Sequence, residues 1–219
     1  MAGQATLPSD EILLIGLRAG DEATFARLLD SWSAGMLRLA RSFVSTNDSA
    51  AEVVQDTWLA VIEGIDRFEG RSSLKSWVYR ILVNTARRRG ARESRTVPLP
   101  DLQPTESDAG PTVPPSRFRG RDDAHPGGWR QFPAAWPSPE TIVLAAEVRD
   151  AIEAVLANLP VRQRAVITLR DVEGYSAGEV CEILQLSAAN QRVLLHRARA
   201  VVRQRLEDYF GRRQRDRGW

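Results

Sequence analysis

Residues 176–199 read Ser-Ala-Gly-Glu-Val-Cys-Glu-Ile-Leu-Gln-Leu-Ser-Ala-Ala-Asn-Gln-Arg-Val-Leu-Leu-His-Arg-Ala-Arg. Ser176 and Glu179 stand at capping-box spacing and open a short helix carrying Val180, Ile183 and Leu184. Gln185 and Leu186 make a turn, and Ser187 caps a second, longer helix. In that helix Val193, Leu194, Ala198, Val201, Val202 and Leu206 are expected to pack inward, while Gln191, Arg192, His196, Arg199 and Arg203 project outward. A capped helix, a tight turn and a helix that begins with small and amide side chains is the geometry that enters a DNA major groove N-terminus first. Asn190, Gln191 and Arg192 then occupy the turns where bidentate contacts to adenine or guanine edges are made.

Upstream of this stretch, Pro160 suits the first residue of a helix through Ala165, Val166 and Leu169, and Gly174 suits a place just beyond its end. Helical periodicity begins at Glu140 and runs through Val148, Ile152, Val155 and Leu159. Before it, residues 91–139 hold ten prolines, which break every candidate helix and read as a linker between domains. Phe118, Trp129, Phe132 and Trp136 lie among those prolines, and aromatics in an extended segment imply docking. A relaxed coil of about 49 residues spans ~40 Å, whereas elements two DNA turns apart are separated by roughly 70 Å. A chain bridging such elements draws the linker out.

The first part of the chain is helical from Asp10 to Gly90, with breaks at Gly20-Asp21, Asn47-Asp48-Ser49 and residues 69–73, giving about four helices. Asp21 is a candidate N-cap, and Ser49 and Glu52 have capping-box spacing. Val54, Trp58, Val61 and Ile65 share one stripe, with Asp56 and Glu63 off it. In the next helix Leu74, Trp77, Val78, Ile81 and Leu82 form a core face. Arg80, Asn84, Arg87 and Arg88 repeat at helical spacing on another face, three guanidiniums and an amide suited to a DNA backbone and base edges.

The formal charge of +2 sums opposed parts. Residues 1–70 carry five arginines and eleven acids, residues 71–100 eight bases and one acid, and residues 190–219 nine arginines and three acids. Two basic stretches in an otherwise acidic chain point to two polyanion contacts, with acidic surfaces left for a protein partner. The single cysteine, Cys181, excludes an internal disulfide framework and reads as a small packing residue. With two histidines in the chain, no metal ligand set or cofactor is expected. Without a glycine-rich phosphate loop or a nucleophile paired with a histidine, no catalytic residues and no small-molecule substrate are expected either. No apolar window reaches bilayer length and no basic leader opens the chain, so a cytoplasmic protein without direct membrane contact is expected.

Leu159-Pro160 with Gln163-Arg164, Leu169-Arg170, Glu173-Gly174-Tyr175-Ser176, Glu179-Val180, and Ser187 through Val193 into Leu195-His196-Arg197-Ala198-Arg199 closely resemble region 4 of extracytoplasmic-function sigma factors. Ala51 through Trp58 resembles region 2.2 of the same family, and Phe68 through Ile81 with Asn84 resembles regions 2.3 and 2.4. Gln185 stands where the family's turn commonly has glycine, and Cys181 where it has a small alanine-like residue. The resemblance implies an all-α protein of two small helical domains, a four-helix region 2 and a helix-turn-helix region 4, joined by a long Pro-rich linker. The division expected is a flexible N-terminus at 1–9, region 2 at 10–92, the linker at 93–138, region 4 at 139–209 and a basic tail at 210–219.

It further implies that Val53, Val54, Gln55, Asp56 and Trp58 bind core RNA polymerase. The −10 element of promoter DNA would be melted and held by Arg71, Ser72, Ser73, Lys75, Tyr79, Arg80, Asn84, Arg87 and Arg88, with single-stranded bases stacked in a cationic groove. The −35 element would be read by Ser187, Ala189, Asn190, Gln191, Arg192, His196, Arg197 and Arg199. An anti-sigma factor is a further partner the family implies, and linkers of similar sigma factors thread a polymerase channel. The other reading of the residues is a stand-alone helix-turn-helix regulator, which would have no use for the region 2 block.

Overall fold

The computed structural model describes residues 7–96 and 142–216, without the side chains of 96, 142–149 and 211–216. The expectations for the aromatic linker, including 129–136, lie outside the described residues. Among the described residues all regular structure is helical: α1 (Asp10–Arg18), α2 (Glu22–Ala40), α3 (Asn47–Gly64), a 3₁₀ turn (Ile65–Arg67), α4 (Leu74–Thr96), α5 (Ile142–Ala157), α6 (Val161–Ile167), a π turn (Thr168–Val172), α7 (Ala177–Leu184) and α8 (Ala188–Asp216). The chain divides into two compact units, one of residues 1–101 with 165–191 and one of residues 102–164 with 192–219.

In the first unit local chemistry sets the helix ends. Gly20 takes a φ of +69° after α1, a conformation open to glycine at no steric cost. Asp21 then caps α2 by accepting from the Thr24 amide at 3.0 Å; the Thr24 hydroxyl and amide hold its carboxyl below the ordinary range. The cap of α3 is Thr46, whose hydroxyl accepts from the Ser49 amide at 3.1 Å. This corrects the expectation of Ser49 and Glu52 as a capping box: Thr46 offers its side chain one turn earlier, and Glu52 is spent on an ion pair with Arg89 of α4.

The core of this unit is built on α2, α3 and α4. Leu28, Met36 and Leu39 of α2, Val53, Val61 and Ile65 of α3 and the following turn, and Leu74, Val78, Leu82 and Ala86 of α4 are buried. Val54 and Trp58 complete the α3 stripe, with Trp58 edge-on to Phe25 at 5.4 Å and stacked with Trp32 at 6.2 Å. Trp77 and Ile81 are half-buried, while Tyr79 and Val83 are fully buried, so the core face of α4 is wider than its sequence stripe. Gly90 lets α4 pass close to α2's C-terminal end, where a Cβ would run into the Phe43 carbonyl oxygen. The start of α4 is pinned by Asp10, which accepts from the Leu74 amide at 2.7 Å, and Arg18 donates to the Phe68 carbonyl at 2.9 Å.

The segment 165–191 adds the π turn, α7 and the first turn of α8. Ala165, Val166, Ile167 and Leu169 are buried, and Glu173 N donates to the Thr168 carbonyl at 2.9 Å, the wide loop of a π turn that the spacing of apolar residues does not disclose. Gly174 follows with φ +75°.

In the second unit α6 begins at Val161, one residue after the expected start. Pro160 precedes the helix and its carbonyl accepts from the Arg164 amide at 2.9 Å. Arg164 also donates to the carbonyls of Ala157 and Leu159, and burial lowers its pKa. Along α8 from Arg192, Leu194, Leu195, Ala198, Ala200 and Leu206 are buried.

Candidate DNA-binding and partner-binding faces

On α3, Val53, Val54 and Trp58 point into the core, whereas Gln55 and Asp56 are exposed. Of the five residues expected to bind a partner, these two offer side chains to one. Leu59 and Ile62, each 53% exposed, fall on the same outer face at i+4 and i+7 from Gln55. They are functional candidates that the sequence reading passed over. The signal was present, since both are large apolar residues off the stripe of Val54, Trp58, Val61 and Ile65.

On α4, Arg80, Asn84, Arg87 and Arg88 come together on one exposed face, as their spacing requires. Arg87 donates to the Leu184 carbonyl at 2.9 Å and lies 6.0 Å from the Phe43 ring centroid. The preceding loop brings Arg71, exposed and paired with Glu69, next to half-buried Ser72. Ser73 has a structural task as well, since its hydroxyl accepts from the Ser76 amide at 3.1 Å and its carbonyl from the Trp77 amide at 3.0 Å. Tyr79 does not join the open face. It is fully buried, and burial, reinforced by the Glu173 carboxylate, raises its pKa well above the usual tyrosine value. Lys75 is half-buried, its Nζ 5.8 Å from the Tyr79 ring centroid.

The helix-turn-helix is set by two caps and one strained residue. Ser176 Oγ accepts from the Glu179 amide at 3.3 Å while Glu179 Oε2 accepts from the Ser176 amide at 2.8 Å. Gln185 takes φ +57° and ψ +51°, the left-handed conformation that explains why a glycine suits this place. Leu186 N closes the turn on the Cys181 carbonyl at 3.0 Å, and Ser187 Oγ accepts from the Asn190 amide at 3.2 Å. Ala188, Ala189 and Asn190 are exposed at the start of α8, so nothing bulky bars close approach to a groove.

The inward and outward faces of α8 are rotated from the sequence expectation. Gln191 is 2% exposed and Val193 45%, with Val201 also open. The buried positions run Gln191, Leu194, Leu195 and Ala198, a helical stripe in which the glutamine takes the place assigned to valine. Arg192, His196 and Arg199 are exposed at i, i+4 and i+7, and Arg197 is half-buried. No group of three or more potential metal ligands occurs among the described residues.

These two faces coincide with two matches to family models. The model described as "Sigma-70 region 2" matches residues 28–96, and that described as "Sigma-70, region 4" matches residues 149–201. Among curated relatives, the ECF RNA polymerase sigma-E factor of Haemophilus influenzae (strain ATCC 51907 / DSM 11121 / KW20 / Rd) is 28% identical over 210 residues, covering 94% of this chain and 98% of that one. That of Escherichia coli (strain K12) is 25% identical over 204 residues, covering 93% and 97%. The fold is similar to that of CnrH in complex with the cytosolic domain of CnrY, at TM-score 0.57 and 20% identity over 92% of this chain and 99% of the other. It is also similar to the sigma factor RpoE in complex with the anti-sigma factor NepR from Bartonella quintana, at TM-score 0.50 and 22% identity over 90% and 93%. With regions 2 and 4 matched in order and relatives aligned over nearly their whole length, the chain belongs to the sigma-70 family as an ECF RNA polymerase sigma factor.

Proposed function

We propose that this sigma factor grips a promoter at two points, region 4 reading the −35 element as duplex and region 2 melting the −10 element and holding its single strand. The observation that carries the reading is the face of Arg80, Asn84, Arg87 and Arg88 on α4, in a chain that also holds the twice-capped helix-turn-helix of α7 and α8. At −10 the other contacts are Arg71, Ser72, Ser73, Lys75 and Tyr79; at −35 they are Ser187, Ala189, Asn190, Gln191, Arg192, His196, Arg197 and Arg199. Gln191 and Tyr79 serve only after a side-chain or segment movement, because both are buried.

Core RNA polymerase is engaged through α3, with Gln55 and Asp56 at the contact, Leu59 and Ile62 supplying its apolar area, and Val53, Val54 and Trp58 supporting the helix from below. The domains divide as 10–92 and 139–209, joined by a linker that spans the two promoter elements. The polymerase performs the chemistry and this chain catalyses nothing, working in the cytoplasm. A protein that masks regions 2 and 4 fits as a regulator, since the structurally similar RpoE is seen with the anti-sigma factor NepR. A stand-alone regulator is disfavoured by the region 2 match.

Permanganate footprinting tests the −10 assignment. Core polymerase with this chain should render thymines near −10 reactive, and Arg80→Ala with Asn84→Ala should abolish that reactivity while leaving core binding intact. Full melting by the double variant would overturn the assignment.

A further inference from the structure

Within the first unit, residues 168–184 lie over part of α4. The Tyr175 ring meets the Tyr79 ring at 5.2 Å between centroids, tilted by 57°. Lys75 Nζ stands 4.7 Å from the Tyr175 centroid, close enough for a cation–π contact. Two turns further along, Arg87 donates to the carbonyl of Leu184 at the end of α7. From the other side, Arg38 of α2 donates to Glu173 Oε1 at 2.7 Å; the glutamate side chain is 9% exposed and the arginine 47%. Gly35, one turn before Arg38, makes room for this seat. A Cβ there would stand 2.5 Å from Tyr79 Oη and closer still to Glu173 Oε2.

Lys75, Tyr79 and Arg87, the α4 residues this segment contacts, are three of those assigned to the −10 strand. An aromatic ring held against a tyrosine and a lysine is also how a single-stranded base is held, by stacking and by a nearby cation. Tyr175 therefore occupies the kind of place an unstacked base would take.

We propose that residues 168–184 form an intramolecular latch, fastened by the Arg38–Glu173 ion pair over Gly35, in which Tyr175 fills the base-stacking place on α4 and must lift before single-stranded DNA can enter. The latch rests on the reading of α4 as the −10 face. It gives the free chain a closed state, so its affinity for single strands is reduced by the fraction of molecules that are open.

The test uses the full chain, a fluorescent random-sequence single-stranded DNA 15-mer, and hydrogen exchange of the 173–184 amides. Arg38→Glu should speed that exchange and tighten DNA binding by about tenfold, the gain expected if about one molecule in ten is open in the native protein. Because this substitution removes positive charge, simple electrostatics predicts the opposite. Gly35→Ala, which crowds the same two side chains without changing charge, should act in the same direction. The swap Arg38→Glu with Glu173→Arg keeps the net charge and should restore slow exchange and native affinity.

Unchanged exchange in both single variants overturns the latch. Faster exchange without tighter binding, while Arg80→Ala still weakens binding, also overturns it and leaves the −10 reading standing. If Arg80→Ala has no effect on binding, the −10 reading fails and the latch with it.

Discussion

Ser176 and Glu179 satisfy each other's backbone amides, the serine hydroxyl accepting at 3.3 Å and the glutamate carboxylate at 2.8 Å. An eight-residue helix is too short to be stable by itself, so α7 depends on the packing of Val180, Ile183 and Leu184 and on this box at its start. Ser176→Ala is expected to cost about 1 kcal/mol in urea unfolding. A loss below a few tenths would show that tertiary packing alone holds the helix.

Gln185 supports a second prediction, because its φ of +57° strains any side chain. Gln185→Val should destabilise by about 1–2 kcal/mol, since a β-branched residue fits this region worst. Gln185→Gly should be neutral or mildly stabilising. Equal midpoints for valine and glycine would contradict the left-handed turn.

The two faces of α3 should separate folding from partner binding. Leu59→Asp with Ile62→Asp touches exposed positions and should change stability by no more than about 0.5 kcal/mol each. It should nevertheless weaken core polymerase capture at least tenfold in a pull-down titration. Trp58→Ala, which removes a buried ring from between Phe25 and Trp32, should instead cost about 3–5 kcal/mol of stability. Retained capture by the aspartate variant would place the polymerase contact elsewhere.

Arg192 and Arg88 are both exposed arginines on helices assigned to DNA, yet their roles should differ. Arg192→Ala is expected to relax preference at one −35 position at a cost of about 1–3 kcal/mol, whereas Arg88→Ala should weaken binding evenly across sequences. Holoenzyme binding to a promoter library reads out both, and identical, sequence-independent losses would refute the division.

Glu93 makes stability depend on pH. It accepts from the Ser45 amide at 2.9 Å and hydroxyl at 2.7 Å, tying the end of α4 to the loop before α3. Burial pushes its carboxyl up, but hydrogen bonds from Ser49, from Ser45 and from Arg89 together hold it below the ordinary value. A depressed carboxylate contributes stability above the unfolded value, about 4.3, and loses it as pH falls through the folded one. Glu93→Gln should therefore cost about 1–2 kcal/mol at neutral pH and progressively less in acid. A gap unchanged at pH 3 would rule this out.

Features governed by neighbours in sequence were legible from the start. The Asp21, Ser176 and Ser187 caps, the Val54, Trp58, Val61 and Ile65 stripe, and the open face of Arg80, Asn84, Arg87 and Arg88 depend on spacing and side-chain chemistry alone. The family motifs in 51–84 and 159–199 overlap the family matches at 28–96 and 149–201. Burial decided by distant partners was not legible. Tyr79 is closed off by Tyr175 and Glu173, nearly a hundred residues away, and no local pattern marks it. Gln191 was placed outward because glutamine is usually exposed, while the true stripe of α8 runs through it. The π turn escaped because one extra residue in a helical loop shifts phase without changing composition.

The central claim is that this chain confers promoter recognition on a polymerase that lacks it. Run-off transcription with purified core polymerase, on templates selected from a random promoter library, measures this directly. Specific transcripts should appear when the chain is added, from sites with two shared elements about two helical turns apart. Their absence with this chain, from a core preparation that another sigma factor activates, would contradict the account.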